Sequence, residues 1–170
     1  DVTVKLSYRE TAQETAYVES RVKSILKEII VPGMNEHEKV KAIHDWIVIH
    51  LQYDKTLKKY TAYEGLSTGS AVCQGYSLLA YQMLKQSGIQ NKIVEGTATP
   101  EGSRTSQLHA WNLVLISGSW YHLDTTWDDP VPDQKNVVGI EYYLRNDKQM
   151  RKDHTWTKPY PEATTLYRKT

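Results

Sequence analysis

Phenylalanine is missing from this 170-residue sequence, and cysteine occurs once, as Cys73. A lone cysteine excludes a disulfide within the chain but leaves the compartment open, because exported proteins can also lack disulfides. Taken alone, a single cysteine is more often a small buried hydrophobe than a nucleophile, so its neighbours have to make the case. Long apolar runs are missing as well. The stretch from Ile25 to Val31 is interrupted by Lys27 and Glu28, far short of the ~20 apolar residues of a membrane span. Neither sign of charge dominates: 21 Lys and Arg face 20 Asp and Glu, for a net charge of +1. The basic pairs Lys58-Lys59 and Arg151-Lys152 are too short for a nucleic-acid footprint. No signal-like apolar segment follows Asp1, so the sequence reads as a mature protein or an excised domain.

The aromatic content falls instead on 12 Tyr and 5 Trp, rings with a polar tip that suit half-exposed grooves as well as core. The length is that of one domain, taken here as 1–170. Residues 1–8 alternate as a short strand through Val2, Val4 and Leu6. Thr11 and Glu14 form a T-x-x-E capping box opening a helix whose apolar face is Val18, Val22, Ile25, Leu26 and Ile29, stopped by Pro32-Gly33. A second helix begins near Asn35 and buries Val40, Ile43, Ile47 and Leu51. Residues 52–69, with Tyr53, Tyr60 and Tyr63, show no sustained period and read as an irregular loop.

The segment from Gly69 to Tyr76 leads into a third helix through Leu78, Leu79, Met83 and Leu84, closed by Gly88. Cys73 therefore sits near a helix N-terminus, where aligned backbone N–H groups favour a thiolate. From Lys92 the period changes to two, with strands expected over 91–98, 109–116 and 120–125 and a tight turn at Ser117–Ser119. The polar 99–108 segment reads as a mobile loop, a short strand is expected near Tyr142–Leu144, and a polar tail carries Pro159 and Pro161. Helices first and sheet afterwards make an α+β fold.

Thiol acyl transfer needs a thiolate, a base that returns its proton to the leaving amine, and a group that orients the base. Cys73, His109 and Asp124 supply these types in that order. A two-residue loop at Ser117–Ser119 pairs residues with odd index sums. His109 and Asp124 then share one sheet face as diagonal neighbours, roughly 7–8 Å apart at Cβ. A three-residue loop puts them on opposite faces. Other histidines offer less: His37-Glu38 has Lys41 where a second metal ligand would be needed, and His44, Asp45 and His50 lack metal-site spacing. His122 competes as a base, and Asp128-Asp129-Pro130 reads as a turn with Asx-type bonds.

Three motifs carry a resemblance: the run from Thr61-Ala62-Tyr63 to Ala71-Val72-Cys73-Gln74-Gly75-Tyr76, then His109-Ala110-Trp111-Asn112, then Trp120-Tyr121-His122-Leu123-Asp124-Thr125-Thr126-Trp127-Asp128-Asp129-Pro130. Over about residues 36–157 the chain resembles bacterial transglutaminase-like proteins. One departure is Glu64, where a small residue is usual. The resemblance implies a papain-like core, with the nucleophile helix packed on an antiparallel sheet. It implies Cys73 as nucleophile, His109 as base and acid, and Asp124 as orienter. Tyr63 is then the candidate side-chain donor of an oxyanion hole beside the Cys73 N–H, with a packed loop tyrosine as the other reading. Trp111 and Trp127 are read separately, as walls of a substrate channel or as packed core. The implied activity is that of a cysteine peptidase or amidase. Isopeptide-forming transglutaminase activity and a catalytically silent binding module are the other readings. The expected partner is a protein or peptide substrate, with no cofactor, metal, nucleic acid or membrane span, a monomeric chain, and an exported or cell-surface location.

Overall fold

The computed structural model of the protein describes residues 10–131, 134 and 137–168. The strand expected over 1–8 lies outside the described residues. Helix α1, Ala12–Ile29, begins at the Thr11 capping box: the Thr11 hydroxyl accepts from the Glu14 N–H, and the Glu14 carboxylate accepts from the Thr11 N–H. Helix α2, Glu36–His50, is capped the same way by Asn35 and Glu38.

The region read as an irregular loop is more ordered than its lack of period implies. Strand β1, Gln52–Tyr53, pairs in parallel with β2, Ser70–Ala71. Between them, Asp54 accepts from the N–H groups of Thr56, Lys58 and Lys59, which ties the chain into a fixed loop. Helix α3, Ala62–Thr68, then starts at a third capping box, Thr61 with Glu64, and stops at Gly69 in the left-handed conformation. Glu64, the departure from the family pattern, is the residue that builds this cap. Its carboxylate accepts from the N–H groups of Tyr60 and Thr61.

Among the described residues, helix α4, Cys73–Gln86, packs on an antiparallel sheet of five strands in the order β6-β5-β4-β3-β7. These strands are β3 Asn91–Ala98, β4 Gln107–Ile116, β5 Ser119–Leu123, β6 Tyr143–Arg145 and β7 His154–Thr155, and a short helix α5, Asp147–Met150, lies between the last two. Strand β4 thus begins inside the segment read as a mobile loop. On its α4 side, Val114 and Ile116 join Tyr76, Leu79, Ala80 and Met83 in the main core, together with Val22, Ile43 and Ile47 from the first two helices. Each fully buried aliphatic side chain there contributes roughly 1.5–3 kcal/mol. The opposite parity of β4 buries Trp111 and Leu113 in a second cluster with Val94, Met150 and Ala163. Helices on one flank and antiparallel strands on the other make an α+β, papain-like arrangement. Among the described residues, no helix is long and apolar enough to cross a membrane.

Candidate active site

Cys73 is the first residue of α4, and its N-cap, Val72, offers no side-chain acceptor. A Ser or Asp at the cap would hydrogen-bond the first-turn N–H groups. With Val72 there, those groups are left to a thiolate or a developing oxyanion. Cys73 is half-buried. Gly75 explains how closely the helix start seats: a Cβ at that position would come within 2.6 Å of Ala71 Cβ and 3.1 Å of the Thr61 carbonyl oxygen.

The β4–β5 hairpin fixes the other two groups. Ile116 pairs with Ser119, so the loop is two residues, Ser117 and Gly118, both at positive φ (49° and 81°), as a type I′ turn requires. The register puts His109 and Asp124 on one face. His109 Nε2 donates to Asp124 Oδ2 at 2.7 Å, and Cys73 lies close enough to the His109 ring to favour its charged form. With Nε2 committed to Asp124, the Nδ1 edge is the one left for sulfur.

The electrostatics favour the charged forms. Burial works against charge on His109, but Asp124, by charge and by hydrogen bond, and then Cys73 push its pKa up to about 10. Asp124 is fully buried, which by itself would raise its pKa. His109 and then His154 hold the carboxyl well below the usual carboxylate range. Its second oxygen, Oδ1, accepts from the Trp127 N–H at 3.1 Å.

Several expected roles change. Tyr63 lies on α3 with its ring edge-on to Tyr17, centroids 5.3 Å apart, packed against the main core and bordering neither cleft beside Cys73. The tyrosines that do border those clefts are Tyr53, Tyr60 and Tyr142. Trp111 walls no channel. It is 1% exposed and stacks on His109 from inside, centroids 5.8 Å apart, whereas Trp127 lines a cleft with its ring 5.6 Å from His109. His122 has no nitrogen to spare for Cys73. Trp111 Nε1–H donates to its Nδ1, leaving Nε2–H to donate to Asp147, and burial, the largest cause, pushes its pKa down to about 4. The Asp128-Asp129 pair reaches beyond its own turn: Asp128 Oδ2 meets buried His44 of α2 at 2.8 Å, and Asp129 Oδ2 accepts from Tyr76 of α4 at 2.6 Å.

Two clefts of about 560 Å³ each flank the sulfur. One runs along Tyr60, Gly96, Thr97, Thr155 and Trp156; the other along Tyr53, Trp127, Pro130, Val131 and Tyr142. Cys73, Leu108 and His109 border both, and Leu108 is 89% exposed beside the histidine.

His154 escaped the sequence reading. It sits in a stretch read as polar tail, yet it is fully buried with Nε2 2.8 Å from Asp124 Oδ2. Its periodicity gave no warning, because β7 has only two residues. The ligand atoms of His109, Asp124 and His154 lie within 4.8 Å of one another, a spacing that could hold a metal. Both Nε2 atoms, however, sit at hydrogen-bond distance from the same carboxylate oxygen, which is the geometry of N–H donors sharing an acceptor.

A profile of the transglutaminase-like superfamily matches residues 23–125. The chain is 29% identical over 154 residues to the kyphoscoliosis peptidase of Mus musculus, covering 81% of this chain and 23% of that protein. It is 29% identical over 126 residues to the human counterpart, covering 67% and 19%. The chain thus spans less than a quarter of the curated relatives it matches, and both are mammalian, so the bacterial branch is not singled out. Among solved structures, a TGase superposes with a TM-score of 0.58 at 20% identity, covering 69% of this chain and 34% of that one. A Cytophaga hutchinsonii protein assigned to the cysteine proteases gives 0.56 at 17%, covering 76% and 47%. The profile covers more than half of the sequence, and the chain belongs to the transglutaminase-like superfamily.

Proposed function

We propose that this domain is a thiol-dependent acyl-transfer enzyme acting on protein or peptide amides, with hydrolysis as its main outcome. The observation that carries the reading is the convergence of Cys73, at an uncapped helix start, with His109 on the same clefts, and the hydrogen bond from His109 to a buried, ionised Asp124. The Cys73 thiolate attacks the amide carbonyl carbon, and the tetrahedral oxyanion is held by the Cys73 N–H with a second donor. Tyr53 fits that second role: it borders the cleft beside Cys73, and burial, followed by the nearby Cys73, raises its pKa and keeps the phenol a donor. The His109 imidazolium gives its proton to the leaving amine as the C–N bond breaks, and a thioester remains on Cys73. Water, deprotonated by His109, then releases the acid.

Clefts on both sides of the sulfur suit an internal amide of an extended polypeptide better than a chain terminus. The kyphoscoliosis peptidase relatives favour hydrolysis; the TGase neighbour keeps amine transfer as the second reading. The test is a product assay on a glutamine-containing peptide, with and without a primary amine. Hydrolysed product in both arms supports the hydrolase, and an amine adduct supports the transferase. Cys73→Ala should abolish both at an unchanged melting temperature. Full turnover in Cys73→Ala would overturn the assignment.

A further inference from the structure

We propose that His154 is a positioning residue for this site: it anchors Asp124 at the same carboxylate oxygen that meets His109 and so sets how firmly the carboxylate orients the base. The inference rests on the acyl-transfer reading above. Asp124 Oδ2 receives two ring N–H groups, His109 at 2.7 Å and His154 at 2.8 Å, while Oδ1 receives the Trp127 N–H at 3.1 Å. Three donors from three parts of the chain leave the buried carboxylate one rotamer. Deleting His154 leaves a desolvated acceptor short of a donor and free to turn.

The anchor is itself held. His154 Nδ1 stands 2.7 Å from Asp153 Oδ1, and the Tyr142 hydroxyl donates to Asp153 Oδ2. Arg145 Nη1 stands 4.0 Å from Asp153 Oδ1, with its guanidinium over the Tyr142 ring. The His154 ring is enclosed by Trp127, Trp111, His109 and Tyr142, with centroids 4.7, 4.9, 5.4 and 5.4 Å away.

The backbone around it is fitted to this placement. Strand β7 pairs Ala98 with His154 and Thr97 with Thr155, and the Thr99 N–H donates to the Asp153 carbonyl at 2.8 Å. A Cβ on Gly96 would stand 2.0 Å from the Thr155 carbonyl oxygen. Glycine at 96 is what lets β7 dock and deliver its histidine.

The test uses two reactions of the only cysteine, so signals need no deconvolution. One is iodoacetamide alkylation at pH 6.5. The other is acetylation by 4-nitrophenyl acetate, in which the thiolate sulfur bonds the acetyl carbon, the C–O bond breaks and 4-nitrophenolate leaves. Both are run on wild type, His154→Gln, His154→Asn and His154→Ala, with melting temperatures in parallel. Glutamine places an amide N–H where Nε2 faces Asp124; asparagine places one on the Asp153 side. The expected result is a loss of roughly tenfold or more in both rates for Ala and Asn. Gln should recover most of it, at melting temperatures similar for Gln and Asn. Rates that stay at the wild-type level, or that fall equally in Gln and Asn in step with stability, would overturn the positioning role. A wild-type Cys73 that reacts no faster than in His109→Ala would overturn the acyl-transfer reading itself, and this inference with it.

Discussion

Asp124 concentrates the physics of the site in one side chain. Fully buried, it keeps its charge because donors on both oxygens and the His109 ring replace the water it lost. Its loss should fall on the chemical step. Asp124→Asn is expected to lower kcat by roughly 10³–10⁴-fold, the scale seen when another enzyme's triad aspartate is made an amide, with a smaller change in KM. A loss confined to KM would make Asp124 a wall of the groove instead. The same pair carries a stability signature. His109, raised to about 10, adds stability that is complete below its usual 6.5 and lost as pH rises through about 10. Asp124, held low, adds stability that is complete above its usual 3.8 and lost as pH falls towards its depressed value. The melting-temperature gap between wild type and Asp124→Asn should therefore be widest between pH 4 and 6.5 and shrink on either side. Cys73, His109 and Asp124 were legible in sequence because each sits in a motif with its own spacing. His154 was not: nothing local distinguishes a histidine that meets its partner 30 residues away.

The elements were legible where periodicity had room to speak. Helices α1 and α2 announce themselves by capping boxes and apolar stripes, and the hairpin register followed from one assumption about loop length. Helix α3 was missed because seven residues are too few for an amphipathic pattern, although Thr61 and Glu64 spell the same capping box as Thr11 and Glu14. Tyr63 went astray with it: on a helix its ring turns to Tyr17 and the core, away from the cleft. Helix α4 owes its position to Gly75. Gly75→Ala gains helix propensity of up to ~1 kcal/mol, but its Cβ would clash with Ala71 and crowd the Thr61 carbonyl, at a cost of roughly 1–3 kcal/mol. The net expectation is a lower melting temperature together with slower Cys73 chemistry, since the helix start must lift to make room. A variant as stable and as reactive as wild type would show that the seating is loose.

At the scale of the whole molecule, the fold brings Cys73 from the helical layer to His109 and Asp124 at the sheet. Buried contacts brace that meeting: His44 of α2 on Asp128, and Tyr76 of α4 on Asp129, both in the turn that follows Asp124. Sequence showed the two layers but not these braces, since a turn aspartate looks the same whether it caps its own backbone or reaches another element. The claim that the two layers cooperate in acyl transfer can be read from one experiment, the pH profile of Cys73 alkylation in wild type and in His109→Ala. The His109 ring keeps its proton up to about pH 10, so throughout the neutral range a cation faces the sulfur and stabilises a thiolate. In wild type the rate at weakly acidic to neutral pH should exceed that of His109→Ala many-fold. His109→Ala should lose most of that early reactivity and climb towards ~8.5, as a free thiol does, with any remainder measuring the helix N-terminus alone. Superimposable profiles for the two proteins would contradict the pairing of Cys73 with His109, and with it the acyl-transfer account.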